Sequence, residues 1–237
     1  MEKDIKKAIE KEKEYLAYRR KGIEPYALTE ALKEFGFNSL SEYSNRKKDY
    51  EFLAQRFAVV ETTPISAIAE VLQAIMNKRT VVLFADTTST IVWRGDNSEL
   101  NESYCLKNNI PILPLHTKGG TIVSTKGDLN IGICFQKKAG LDLSYILNGF
   151  ADIFHKYTAK EIIVSGNDII VDGYKVLGSS TYAINDMFVF ITPVSLTEKS
   201  ELINSICVKH SSKVPGYIDF MSSDMLRKEV LGWLQIT

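Results

Sequence analysis

Between residues 161 and 192 the chain reads as a row of short β-segments separated by tight turns. The segments, at about 161–165, 168–172, 174–177, 181–184 and 187–192, are rich in Ile, Val, Tyr and Phe. Short strands between tight turns of this kind are of antiparallel type. Asp172-Gly173 is the sharpest turn signal, because Gly takes a positive φ at no steric cost. That turn delivers Lys175 onto the outgoing strand, with Gly178-Ser179-Ser180 behind it. One lysine fixed on a rigid strand beside small residues can serve as a point charge for a phosphate or carboxylate. The same residues also describe a surface hairpin with a solvated lysine.

The rest of the chain fits around that row. Phe57-Ala58-Val59-Val60 reads as a strand. Thr63-Pro64 opens a helix carrying Ile65, Ile68, Ala69, Val71, Leu72 and Ile75 at helical spacing. Val81–Phe84 and Thr90–Trp93 read as two strands paired through Asp86-Thr87-Thr88-Ser89. Further strands are predicted near 110–113, 120–123 and 129–135, a helix over 142–157, and closing helices near 198–206 and 222–235. Strands in runs, with helices between and after them, predict an α+β fold of mixed, largely antiparallel sheets with packed helices.

Residues 1–56 differ in character. Charge is dense, and three helices are readable at about 2–20, 26–35 and 40–56. Gly36 stops the second, and Ser39 and Ser41 offer caps for the third. The expected organisation is a helical appendage over 1–56 and a main domain over 57–237.

Composition narrows the function classes. Lysines and arginines total 29 and acids 29, so the net charge is zero, which argues against a nucleic-acid binder. Cys105, Cys134 and Cys207 have no metal-ligand spacing, and His116 and His155 have no ligand partner, so no metal site is expected. The odd cysteine count and a charged N-terminus without an apolar run predict a soluble, cytoplasmic protein.

Other segments carry candidate binding residues. Lys118-Gly119-Gly120 before a strand lets backbone approach a ligand closely, and its N–H groups can face an anion; Lys126 adds charge nearby. A plain loop feeding a hairpin is the alternative. Arg94 and Asn97 leave a strand end together and could grip a substrate or sit in an exposed turn. Asn167-Asp168 could orient a cation or the lysine, or simply serve as turn chemistry. Cys207 near His210 could form a nucleophile, although a buried structural cysteine fits as well.

The order of these motifs resembles the catalytic domain of the lipoate–protein ligase, octanoyltransferase and biotin–protein ligase superfamily. The resemblance rests on Arg94 and Asn97, then Gly119-Gly120, Asn130, Asn167-Asp168, and Lys175-Val176-Leu177-Gly178-Ser179. It runs from about residue 57 to the end, with Lys213-Val214-Pro215 at a position that family often makes basic. It implies the biotin/lipoate ligase fold, akin to class II aminoacyl-tRNA synthetases. It also implies an enzyme that activates lipoate or a related acyl acid with ATP, with Mg²⁺ as a possible cofactor, and acylates a lysine of a lipoyl carrier domain. Lys175 is then the catalytic lysine. Gly119 and Gly120 then lie along the acyl chain or phosphates, Asn167 and Asp168 border the adenylate, and Arg94, Asn97, Lys118, Asn130, Gly178 and Ser179 complete the binding set. Lys118 stands where the family's first loop glycine is expected, Pro114 and Leu115 where two arginines are, and Ser124-Thr125 where His-Asp is. Two alternatives follow: an ATP-independent octanoyl or lipoyl transferase of the same fold, and a catalytically silent relative that acts as a binding module.

Overall fold

The computed structural model describes residues 2–95, 99–114, 121–138, 140–208 and 213–235. The chain divides into two compact units, Met1–Gln55 with Lys138–Gly140, and Arg56–Lys137 with Leu141–Thr237.

The first unit holds three helices, α1 (Glu2–Arg20), α2 (Leu28–Lys33) and α3 (Leu40–Leu53). The thin apolar stripe of α1 suffices because only Ile5 and Ala8 need burial; they meet Leu32, Phe37 and Tyr43 in a small core. Tyr43 donates to Glu12 at 2.7 Å and ties α3 to α1. The Ser39 hydroxyl caps α3 by accepting from the Glu42 N–H at 3.0 Å, and Gly36 takes a φ of 81° just after α2.

The second unit begins with β1 (Ala58–Thr62), α4 (Pro64–Met76), β2 (Val81–Asp86) and β3 (Ile91–Arg94). Next come α5 (Glu102–Lys107), β4 (Ile112–Pro114), β5 (Thr121–Ser124), β6 (Leu129–Gln136) and α6 (Leu143–His155). The predicted row of strands follows as β7 (Ile162–Ser165), β8 (Asp168–Val171), β9 (Tyr174–Gly178), β10 (Ser180–Ile184) and β11 (Met187–Val194). The unit ends with α7 (Ser200–Ile206), β12 (Val214–Pro215) and α8 (Ser223–Trp233).

The strands form a nine-stranded sheet in the order β1-β2-β6-β11-β9-β8-β7, with β10 also on β11 and β12 on β9, and a three-stranded sheet β4-β3-β5. Pairing is antiparallel except at β1–β2, β3–β4 and β12–β9. This is the α+β architecture expected. One expectation is corrected: β2 and β3 do not pair. β2 is buried between β1 and β6, while β3 founds the small sheet with β4 and β5. The Asp86–Ser89 link is a passage between sheets, and the buried Thr87 inside it anchors that passage. The short α5 and the two-residue β12 lack the length to leave a periodic signal.

The two faces of the large sheet are covered differently. Phe190 of β11 stacks on Phe150 of α6, with ring centroids 5.7 Å apart, so even positions of β11 face α6. Trp233 of α8 packs beside the same Phe150 and over Gly149, where a Cβ would collide with the indole. On the opposite face Val71, Ala74 and Ile75 of α4 pack on Val81, Leu83, Cys134, Met187 and Val189. Contacts of α4 run to β2 and β6, at one side of the sheet.

Candidate active site

Register decides which residues share the α4 side. Val194 pairs with Leu177, and Leu177 pairs with Ile169, so all three face α6. The register between β8 and β9 then shifts: Ile170 lies opposite Lys175 and Asp168 opposite Gly178. Val176 is the extra residue of a β-bulge. Without it Leu177 would lie opposite Asp168; with it Lys175, Gly178 and Asp168 come to one face, on the α4 side. The turn that starts β9 is built as its sequence demands, with Asp172 at φ 48° and Gly173 at φ 82°.

Asp168 is the centre of the site. It is buried, and each carboxylate oxygen meets one ammonium group. Lys175 Nζ lies 2.9 Å from Oδ1, an ion pair without hydrogen-bond angles, and Oδ1 is otherwise unbonded. Lys213 Nζ donates to Oδ2 at 2.6 Å and to the Ser165 carbonyl at 2.9 Å. Lys213 arrives because β12 runs parallel to β9, with Pro215 opposite Lys175. Two ammonium groups thus meet on one carboxylate. Gly178 makes the arrangement sterically feasible: a Cβ there would stand 2.6 Å from Lys175 Cε and 2.8 Å from Nζ.

The neighbouring residues are braces. Asn167 Nδ2 donates to the Ser179 carbonyl at 2.8 Å, and Ser179 Oγ donates back to the Asn167 carbonyl at 2.9 Å. The two predicted binding residues thus clamp the ends of β8 and β9 and fix Asp168 in place. Asn130 is buried and spends its amide inside the protein, donating to Thr87 Oγ1 at 2.6 Å and to the Ala85 carbonyl at 3.3 Å while accepting from Ser124 Oγ at 3.0 Å. It therefore joins β6 to β5 of the small sheet. Arg94 pairs with Glu102 of α5, not with the Lys175 cluster. Asn97, Lys118, Gly119 and Gly120 lie outside the described residues.

Sequence reasoning missed a second buried node. Asp128 accepts from the N–H groups of Thr125 (2.7 Å) and Leu196 (2.9 Å) and from the hydroxyls of Thr125 and Thr197 (3.1 Å each), and it pairs with Lys199. Burial pulls the Lys199 ammonium below its ordinary pKa, and the Asp128 carboxylate opposes that pull. Nothing local distinguishes Asp128 from a turn aspartate: its contacts with Thr125 are ordinary turn chemistry, while Leu196, Thr197 and Lys199 stand about seventy residues away.

The predicted neighbour of Cys207, His210, lies outside the described residues, while Cys207 itself is described. It forms a bridge to Leu100 and packs against the cluster of Val92, Cys105, Val123 and Ile206, and burial pushes its thiol pKa up. Among the described residues no three His, Cys, Asp or Glu side chains gather as a metal site. Asp168, capped by two ammonium groups, does not fit a divalent cation as it stands. Among the described residues no helix is long and apolar enough to cross a membrane.

Residues 66–214 match the family of lipoyl protein ligase A/B catalytic domains. The chain belongs to that family. The matched span contains Asp168, Lys175, Gly178 and Lys213. Solved structures share its fold. LipL1 of P. falciparum, in complex with lipoate, is 13% identical with a TM-score of 0.62, over 76% of this chain and 59% of that one. The bi-partite lipoate protein ligase of Thermoplasma acidophilum, described with its E2 lipoyl domain, is 13% identical with a TM-score of 0.60, over 75% and 81%. A lipoate-protein ligase A bound with ATP is 15% identical with a TM-score of 0.58, over 76% and 83%. Among curated proteins no sequence matches the chain.

Proposed function

We propose that this protein activates lipoate or a related short acyl acid with ATP and transfers the acyl group to a lysine of a lipoyl carrier domain. The observation that carries the reading is the Lys175–Asp168–Lys213 cluster on the α4 side of the sheet. Family membership and the lipoate- and ATP-bound relatives support the choice of substrates.

The chemistry asks for positive charge held in place. As the acid's carboxylate oxygen attacks the α-phosphorus and pyrophosphate departs, negative charge gathers on both reacting groups. The Lys175 ammonium stabilises that charge, and Asp168 keeps it preorganised on the sheet face. In the second step the carrier amine attacks the acyl carbonyl carbon, loses a proton, and AMP departs. Lys175 then polarises the carbonyl oxygen. Lys213 supplies the second positive charge at the same carboxylate. An acyl-thioester route through Cys207 is disfavoured by that thiol's burial.

The test is intact-mass analysis of a lipoyl carrier domain incubated with the protein and lipoate, with and without ATP and Mg²⁺. A mass gain of one lipoyl group only with ATP, abolished in Lys175→Ala with an unchanged melting curve, is expected. No gain in either condition overturns the ligase reading and leaves a silent binding module in its place.

A further inference from the structure

The two lysines at Asp168 are held differently. Lys213 Nζ donates twice, to Asp168 Oδ2 at 2.6 Å and to the Ser165 carbonyl at 2.9 Å. Lys175 Nζ meets the same carboxylate at Oδ1, at 2.9 Å and without hydrogen-bond angles. One ammonium is seated, and the other rests against its counterion.

The seat is built from separate strands. Ser165 ends β7 and Asp168 begins β8, and the two pair across the turn at Gly166, whose φ is 66°. Lys213 stands just before β12, which runs along β9 with Pro215 opposite Lys175. Its ammonium therefore ties the β7–β8 turn to the segment flanking β9, and Oδ2 is taken. Oδ1 is the oxygen beside Gly178, where a Cβ would stand 3.2 Å from it and 2.8 Å from Lys175 Nζ. Gly178 thus puts no side chain over the contact between Lys175 and Oδ1.

A buried carboxylate left with an unpaired oxygen draws in any cation within reach. With Oδ2 occupied, Asp168 has one oxygen for Lys175. A lysine ammonium carries three donors, so a contact at Oδ1 leaves donors for an incoming carboxylate or phosphate oxygen. Without Lys213, both oxygens turn to Lys175 and draw its ammonium onto Asp168, away from the reacting groups. We infer that Lys213 is a positioning residue: it occupies Oδ2 of Asp168 and so keeps the Lys175 ammonium available to the reacting anion, without binding that anion itself. This role rests on the ligase reading above for the identity of the anion.

Two measurements on the full chain test it, in Lys213→Met and in Lys213→Arg, whose guanidinium can donate to both acceptors. The first is pyrophosphate release from ATP in the presence of lipoate. In Lys213→Met kcat should fall about tenfold while KM for ATP stays within about twofold, and Lys213→Arg should recover most of the rate. The second needs no turnover: acetylation of Lys175 by acetic anhydride, followed by peptide mass spectrometry. Lys175 should react about threefold more slowly in Lys213→Met, because the pair with Asp168 tightens, and at the original rate in Lys213→Arg. Lys213→Gln, which keeps a donor at this position, replaces Lys213→Met if that variant melts below the assay temperature. A raised KM with kcat retained overturns the positioning role, because Lys213 then grips the substrate. Unchanged or faster acetylation of Lys175 in Lys213→Met also overturns it. No pyrophosphate release by the unmodified protein overturns the ligase reading instead, and slowed acetylation in Lys213→Met then still supports the hold of Lys213 on Asp168.

Discussion

Gly178 is where one added methyl group would meet the head of Lys175. In Gly178→Ala the new Cβ meets the lysine head and forces Lys175 off Asp168. The position is on a strand with no positive φ to satisfy, so the fold should tolerate the change. We expect transfer activity to fall about a hundredfold, as for reacting groups displaced by about an ångström, with the melting temperature nearly unchanged. Steady-state assays beside a thermal melt check both halves. Cys207 is the counter-case. Its thiol is pushed up by burial, so less thiolate exists at neutral pH than on a free cysteine. Alkylation by iodoacetamide in the native protein should be slow at pH 7.5 and should accelerate as pH rises. Cys207→Ala should leave acyl transfer unchanged; a loss of transfer there would revive the thiol route. At this scale the sequence exposed Lys175, Asp168 and the Asp172-Gly173 turn, because each is a local signal. Lys213 was visible only as a basic residue. Its meeting with Asp168 depends on the bulge at Val176 and on the parallel β12, neither of which local spacing can encode.

Elements are held in place by polar nodes that the sequence conceals. The Asp128–Lys199 pair connects the turn before β6 to the segment leading into α7, out of contact with water. Breaking one side of such a pair leaves an uncompensated buried charge, so Asp128→Asn should destabilise the protein by about 3–5 kcal/mol in urea unfolding. A shift under 1 kcal/mol would show that the node is solvated. Arg227 of α8 reaches Glu61 of β1 and, at 2.9 Å, Asp86 of β2, with its guanidinium over the Phe84 ring. That clamp sets α8 across the α6 side of the sheet, which periodicity alone could not specify. The strand row of 161–192 was legible because turn chemistry and alternation agree there. The misassigned β2–β3 pairing shows the limit: two apolar runs separated by a short polar link look like a hairpin whether or not they share a sheet. Burial on both faces of β2 leaves no alternation to reveal its true neighbours.

Across the whole molecule, the charge-rich first fifty-five residues own a core of their own, built from Ile5, Ala8, Leu32, Phe37 and Tyr43. The residues that hold Lys175 all belong to the second unit. A chain lacking residues 1–55 should therefore still unfold in one cooperative transition and retain adenylate formation, measured by pyrophosphate release. Loss of the transition would show that the second unit depends on the first. Apolar periodicity changes from sparse to dense near residue 56, close to where the first unit ends in sequence. The uneven cover of the large sheet has a consequence of its own. One side is sealed by α6 and α8 with stacked aromatic rings, while the other carries α4 and the charged cluster of Lys175, Asp168 and Lys213. A single β-strand thus alternates between two jobs, odd and even. Random substitutions along β8 and β9 should sort into two populations by parity once the bulge is counted, one that melts the protein and one that merely silences it.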